Sequence, residues 1–202
     1  AVGVEAGQAL TTGRFNTIMG SLAGDALTTG ASNVALGYGA LTTEDTGSRS
    51  IAIGHNALGS QDYNGSAYNI AIGYTAGTLI SSGTNNTIVG GLAGNALTTG
   101  VNNVAIGYQA LGSQQTNGQN VAIGVGALQN QNTSGHGNNT AVGLQAGNDI
   151  TTGAGNTILG CSAGDALTTG SNNIIIGLNS AASAVDVSNE ITLGDGNISS
   201  IR

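Results

Sequence analysis

A glycine closes a short aliphatic phrase twelve times along this 202-residue chain. These anchor glycines are Gly3, Gly20, Gly37, Gly54, Gly73, Gly90, Gly107, Gly124, Gly143, Gly160, Gly177 and Gly194. Their spacings run 17, 17, 17, 19, 17, 17, 17, 19, 17, 17, 17. So short a period leaves few folds open. Helical repeats need about 33 residues or more, and leucine-rich repeats about 20–29. A 17-residue unit has room for two short strands and two turns. No helical periodicity accompanies it. The expected class is all-β: a parallel β-helix or β-roll solenoid of about twelve 17–19-residue coils, each touching only its neighbours.

Each column of the repeat carries its own reading. The residue before the anchor glycine is aliphatic in all twelve copies, from Val2 and Met19 to Leu193. Two residues earlier stand Thr17, Val34, Ile51, Ile70 and their equivalents, mostly β-branched. This alternation reads as a strand with the first column as the core. Between them run Ile18, Ala35, Ala52, Ala71 and Ile88 on the opposite face. Apolar residues on both faces of a thin roll predict a homo-oligomer, a trimer in particular. Asn16, Asn33, Asn69, Asn86 and later equivalents, four residues before the anchor, predict a stacked asparagine ladder. The glycines of TTG-like phrases (Gly13, Gly30, Gly47, Gly83, Gly100, Gly153, Gly170) suit turns with positive φ. Three residues after the anchor stands Ala in ten copies. The next position alternates in pairs: Gly7, Gly24, Leu41, Leu58, Gly77, Gly94, Leu111, Leu128, Gly147, Gly164. A 70-residue superperiod overlies the coil period, since Gly20–Val89 matches Gly90–Leu159.

Composition narrows the partners. Thirty-six glycines would suggest disorder, but they are periodic, proline is absent and 39% of residues are hydrophobic. Net charge is −7, with Arg14, Arg49 and Arg202 as the only cations. Without a basic stripe to neutralise phosphates, nucleic acid is not an expected partner. No apolar run reaches the length of a membrane span, so no membrane insertion is expected. Cys161 is the only cysteine, which leaves no disulfide framework within one chain. The chain opens on Ala1 with no visible signal peptide, which points to processing or a fragment.

Little in the sequence carries chemistry. His55 and His136 have no recurring acidic or cysteine partner. A phosphate-binding loop and the calcium-binding nonapeptide are both missing. Asp25 and Asp165 recur after Ala-Gly, but Asn95 and Asn148 replace them in other coils, which suits turn hydrogen bonding better than a cation site. The expectation is therefore no catalytic, cofactor-binding or metal residues, and not an enzyme. Tyr38, Tyr74 and Tyr108 share the position after the anchor glycine and are candidate glycan contacts; the plainer reading is packing at the roll's edge. The TTG phrases also raise an ice-binding array, interrupted at Asp45–Thr46, Asp62–Tyr63, Gln115–Thr116 and Asn132–Thr133.

The phrase NVAIGYQAL (Asn103–Leu111) and its relatives resemble the head repeats of trimeric autotransporter adhesins. That resemblance implies left-handed parallel β-rolls packed as homotrimers, and covers almost the whole chain. The adhesin heads repeat at a shorter period. NEITLGDGNISSIR (Asn189–Arg202) is similar to the stretch upstream of the self-cleaving intramolecular chaperone domain of phage tail fibres. Together they imply a repeat shaft over residues 1–177. Residues 178–202 would be atypical terminal coils and a transition segment toward a further C-terminal domain. The implied role is structural and adhesive, in a viral tail fibre on the virion. Its partners would be a host-surface receptor such as a glycan and other tail or fibre proteins. A cellular surface adhesin or extracellular filament is the alternative, and an ice-binding β-helix a weaker one.

Overall fold

The computed structural model describes residues 1–113, 116 and 118–198. Gln115 and the last four residues, with Arg202, lie outside that range. The fold is an all-β parallel solenoid, with no helix among the described residues. Each coil contributes one three-residue strand. These are β1 Thr17–Met19, β2 Val34–Leu36, β3 Ile51–Ile53, β4 Ile70–Ile72, β5 Thr87–Val89, β6 Val104–Ile106, β7 Val121–Ile123, β8 Thr140–Val142, β9 Thr157–Leu159, β10 Ile174–Ile176 and β11 Ile191–Leu193. They stack in chain order into one sheet. Pairing stays in register throughout, as in Val104↔Val121, Ala105↔Ala122 and Ile106↔Ile123. At about 4.8 Å per strand, eleven strands make a sheet roughly 50 Å long.

The two-residue insertions do not disturb this register. Asp62–Ser66 loops out after β3, rejoins through a bridge between Ser48 and Ser66, and leaves Ile51 paired with Ile70. A matching bridge joins Gly118 and His136. The second extended segment of the repeat, expected as a strand, is not one. It meets the next coil through single bonds such as Thr11 N–H to Thr28 carbonyl at 2.9 Å and Thr151 N–H to Thr168 carbonyl at 2.9 Å.

The expected core column faces the wrong way. Ile18, Ala35, Ala52, Ala71, Ile88, Ala105, Ala122, Ala141, Ile158 and Ile175, the middle residues of their strands, are all buried. The uniformly aliphatic column beside the anchor glycine faces out, with Met19 at 55% and Leu159 at 47% exposure. Strand residues alternate faces, so the β-branched column points outward too. Uniformity misled the reading because the inner column need not be uniform. It shares its space with two other columns.

That sharing explains the pairwise alternation. Four residues after the anchor glycine the interior holds Gly or Leu, and seven residues after it holds the complement. Gly24, Gly77, Gly94, Gly147 and Gly164 go with the buried Leu27, Ile80, Leu97, Ile150 and Leu167. Leu41, Leu58 and Leu128 go with the buried polar Glu44, Gln61 and Gln131. Each such coil thus carries one large aliphatic between the two positions. A Cβ on Gly94 would lie 2.9 Å from Leu97 Cδ1 and 3.0 Å from Ile88 Cδ1. The backbone here is left-handed even where the residue is leucine, with φ of 55° at Leu41 and 49° at Leu58. That conformation costs about 1–2 kcal/mol. Burying the leucine side chain returns about 1.5–3 kcal/mol, which is enough to hold it.

The anchor glycines are required by two effects at once. At Gly107 φ is +131°, and a Cβ would sit 2.4 Å from the carbonyl oxygen of Gly124 in the next coil. The TTG glycines lack the first. Their φ is not positive, contrary to expectation, but a Cβ on Gly30 would lie 2.3 Å from the Gly47 carbonyl oxygen, and Gly13, Gly83, Gly153 and Gly170 meet the next coil's backbone likewise. Close stacking of backbones selects glycine at these positions, not turn conformation; at Gly47 the Glu44 carboxyl takes the space instead.

The volume exchange makes a quantitative prediction. Gly94→Leu overpacks its coil and should cost about 1–3 kcal/mol. Leu97→Ala empties it and should cost about 2–5 kcal/mol. Because one fills what the other vacates, the double variant should be destabilised by clearly less than the sum in thermal or denaturant unfolding. Simple additivity would contradict the shared-volume account.

Candidate functional site

The residue after each anchor glycine lies just past the sheet edge and is exposed in most coils. In three successive coils this column holds Tyr38, His55 and Tyr74. Their rings form a stacked file, with centroids 5.2 and 5.3 Å apart and planes within 25° of parallel. The coil spacing imposes this: in-register neighbours about 4.8 Å apart place planar rings at stacking distance. Tyr38 is 50% exposed, Tyr74 59% and Tyr108 50%. Of the three tyrosines read as glycan contacts, Tyr38 and Tyr74 are joined through His55. Tyr108 stands two coils beyond Tyr74, with Gly91 between. His55, which from the sequence is only a histidine without a recurring acidic or cysteine partner, occupies the same column as the tyrosines. His136 is separate, exposed in the second insertion turn.

A second aromatic contact lies across the sheet. The Arg49 guanidinium sits 5.5 Å from the centre of the Tyr68 ring and donates to the Tyr68 hydroxyl and Ser66 Oγ, both at 2.8 Å. One of only three cations is thus engaged beside the first insertion turn.

Inside the coils runs a polar file of a different kind. Each asparagine four residues before the anchor accepts at Oδ1 from the backbone N–H of its successor. Examples are Asn33 N–H to Asn16 at 2.8 Å, Asn103 N–H to Asn86 at 3.0 Å and Asn173 N–H to Asn156 at 2.9 Å. In most coils its Nδ2 donates across the coil to the turn carbonyl fourteen residues on, as Asn69 does to Gly83 at 2.7 Å and Asn156 to Gly170 at 3.0 Å, while Asn120 donates to the Gly118 carbonyl at 3.1 Å. The expected ladder is therefore present, and it ties the strand side of each coil to the turn side.

Where Ser50 interrupts the ladder, Gln61 reaches in. Its Nε2 donates to Ser50 Oγ at 2.9 Å and to Glu44 Oε2 at 2.8 Å, and its Oε1 accepts from Asn69 Nδ2 at 2.8 Å. In the second superperiod Asn120 keeps the ladder position and Gly137 replaces Ala67. A Cβ at Gly137 would lie 2.3 Å from Asn120 Oδ1. The equivalent Gln131 is then buried, with neither end hydrogen-bonded among the described residues.

Glu44 is the one acid in the interior. Burial pushes its carboxyl above the ordinary range, against the hydrogen bonds from Gln61 and from the Gly47 and Tyr63 N–H groups. Its oxygens are engaged by the chain itself, and the group is closed to solvent. Near the other end, a shallow concavity of about 300 Å³ lies beside Gly155, Asn172 and Glu190. The Glu190 carboxylate is held below its usual range by the Ser183 hydroxyl, the Ser183 N–H and the Thr192 hydroxyl. Among the described residues, no group of three His, Cys, Asp or Glu side chains could hold a metal. Among the same residues, no helix is long and apolar enough to cross a membrane.

No protein-family model, curated protein or solved structure matches this chain. The arrangement itself therefore carries the functional reading. It offers ring faces and edges along one rod edge and a charge-free sheet face beside them.

Glu44 provides a pH test. Its folded-state pKa is raised, so the neutral form favours folding. That contribution is complete below the unfolded value near 4.5 and is lost as pH rises through the folded value. Glu44→Gln removes the titration. Thermal melts of the two proteins should differ little at pH 4, with the variant gaining on the parent toward pH 7. A difference independent of pH would contradict the buried-acid assignment.

Proposed function

We propose that the chain is a structural and adhesive fibre segment: the shaft of a homotrimeric viral tail fibre that supports attachment to a host surface. The observation that carries this reading is the outer sheet face. Its two columns, running from Thr17 and Met19 to Ile191 and Leu193, contain only Thr, Val, Ile, Leu and Met. By strand spacing the face is roughly 50 Å long and 10 Å wide. An apolar strip of about 500 Å² is at the upper end of what monomers leave exposed. Of the exposed acids, Asp45, Asp62, Asp149, Asp165 and Asp186 fall five to nine residues past the anchor glycine, away from the strands, and Glu5 lies two residues past Gly3 in the first coil. A second and third copy of the chain would meet this face without burying a charge from these columns.

The resemblance of NVAIGYQAL (Asn103–Leu111) to trimeric adhesin heads supports three copies and a left-handed coil. The resemblance of the segment from Asn189 onward to tail-fibre sequences supports a virion location and contacts with other fibre proteins. A cellular surface adhesin would use the same trimer, and the adhesin-like phrase favours it as the second reading. An ice-binding array is disfavoured by the threonine column. The hydroxyls of Thr11, Thr151 and Thr168 donate to carbonyls of the next coil at 3.0–3.2 Å, along the rod rather than outward.

Sedimentation equilibrium tests the assembly. The chain should sediment at three times its 19.5 kDa mass. Ile72→Glu with Ile106→Glu, both on the outer face, should lower that mass while far-ultraviolet dichroism keeps its β signal. A parent protein that is monomeric at micromolar concentration would overturn the proposal.

A further inference from the structure

The aromatic file has a missing member. Tyr38, His55 and Tyr74 fill three consecutive coils, and the next coil offers Gly91 before Tyr108 resumes the column. The coils remain in step across this gap, since Leu92 N–H donates to Tyr74 carbonyl at 2.9 Å and Gln109 N–H to Gly91 carbonyl at 3.2 Å. Tyr74 and Tyr108 are therefore two coil steps apart, roughly 10 Å. A Cβ at Gly91 would meet only Tyr108 Cδ2, at a contact distance of 3.7 Å, so the space above the glycine is bounded by the Tyr108 ring and otherwise free. Both flanking tyrosines are half exposed. The slot thus has two aromatic walls, a backbone floor and an open top.

We infer that the slot between Tyr74 and Tyr108 over Gly91 is a binding site for a single pyranose ring. A ring centred there would lie about 5 Å from each tyrosine, within the stacking range of about 4.5–7 Å. A flat aromatic guest in carbon contact at about 3.5–4.0 Å on each side would fill only about 7–8 Å. A sugar chair is thicker, and its axial C–H groups take up the difference. Its hydroxyls point along the ring's equator, toward the open top and the solvent. The slot stands past the anchor-glycine bend rather than within the two outer sheet columns, so the proposed trimer contact leaves it at the rim. No other three-coil stretch of this column places tyrosines on both sides of a glycine.

The inference rests on the adhesive reading, and its test separates the two. Saturation-transfer NMR on the full chain would use methyl glucopyranoside, methyl galactopyranoside and methyl N-acetylglucosaminide as probes, with N-acetyltyrosine amide as the planar competitor. At least one pyranoside should show transfer to its ring C–H protons. Gly91→Leu fills the slot at a position with ordinary backbone and an unobstructed Cβ, so it should fold and abolish the transfer. Tyr108→Ala should weaken it tenfold or more. Transfer that survives Gly91→Leu, transfer to the planar competitor alone, or no transfer to any pyranoside would each overturn the site. Sedimentation of the same samples reports on the fibre reading separately. A trimer without sugar transfer retains the fibre and loses the slot, and a monomer with transfer does the reverse.

Discussion

The buried asparagine column sets the terms for the rest of the structure. Each Asn side chain accepts from the backbone of the coil ahead through its Oδ1, and most donate through Nδ2 to the turn carbonyl on the far side. A buried amide left unpaired costs about 1–3 kcal/mol, while a formed hydrogen bond returns only about 0.5–1.5 kcal/mol net. The ladder therefore acts more as a specification than as a store of stability. Slipping one coil by one residue would orphan several buried groups at once. Only a 17-residue step, or 19 with the extra residues looped out, satisfies them all. Coil spacing, stacked glycine backbones and parallel aromatic rings follow from that step.

Within this frame the interior is a volume problem. Two closely spaced walls leave space for one large aliphatic between the two positions past the anchor glycine, beside an Ala or Ile from the strand. The chain supplies it from either of two positions, in pairs, and the 70-residue superperiod is the record of that choice. Where the leucine comes early, a polar Glu or Gln occupies the later position and needs partners. Gln61 finds them around Ser50. Gln131 meets Asn120 at the ladder position instead of a serine, and finds no partner among the described residues.

Fold class and period were legible because anchor glycines and asparagines each perform one task in every coil. The inside and outside of the strand were not, for a definite reason. The outer column, from Met19 to Leu193, is uniformly aliphatic because nothing within the chain competes for its space. The inner one varies between Ala35 and Ile88 because its volume is shared with residues six and nine positions on. A periodicity count weighs uniformity and so chose the wrong face. The turn glycines misled similarly: Gly30 and Gly83 are small because a neighbouring carbonyl approaches, which only the stacked coils reveal. Of the candidate site, the three tyrosines were visible as a column. The stacking of His55 between Tyr38 and Tyr74, and the free space over Gly91, required the folded arrangement.

The asparagine ladder is the claim on which register, packing and aromatic spacing all depend. Hydrogen exchange of the Asn side-chain amides, resolved by NMR, tests it most directly. Asn33, Asn69, Asn86, Asn103, Asn120, Asn139, Asn156 and Asn173 are buried in the column, whereas Asn102 and Asn172 are exposed. The account predicts that the Nδ2 protons of the eight column residues are protected far longer than those of the exposed pair, alongside the strand amides. Column amides that exchange as fast as those of Asn102 and Asn172 would contradict it.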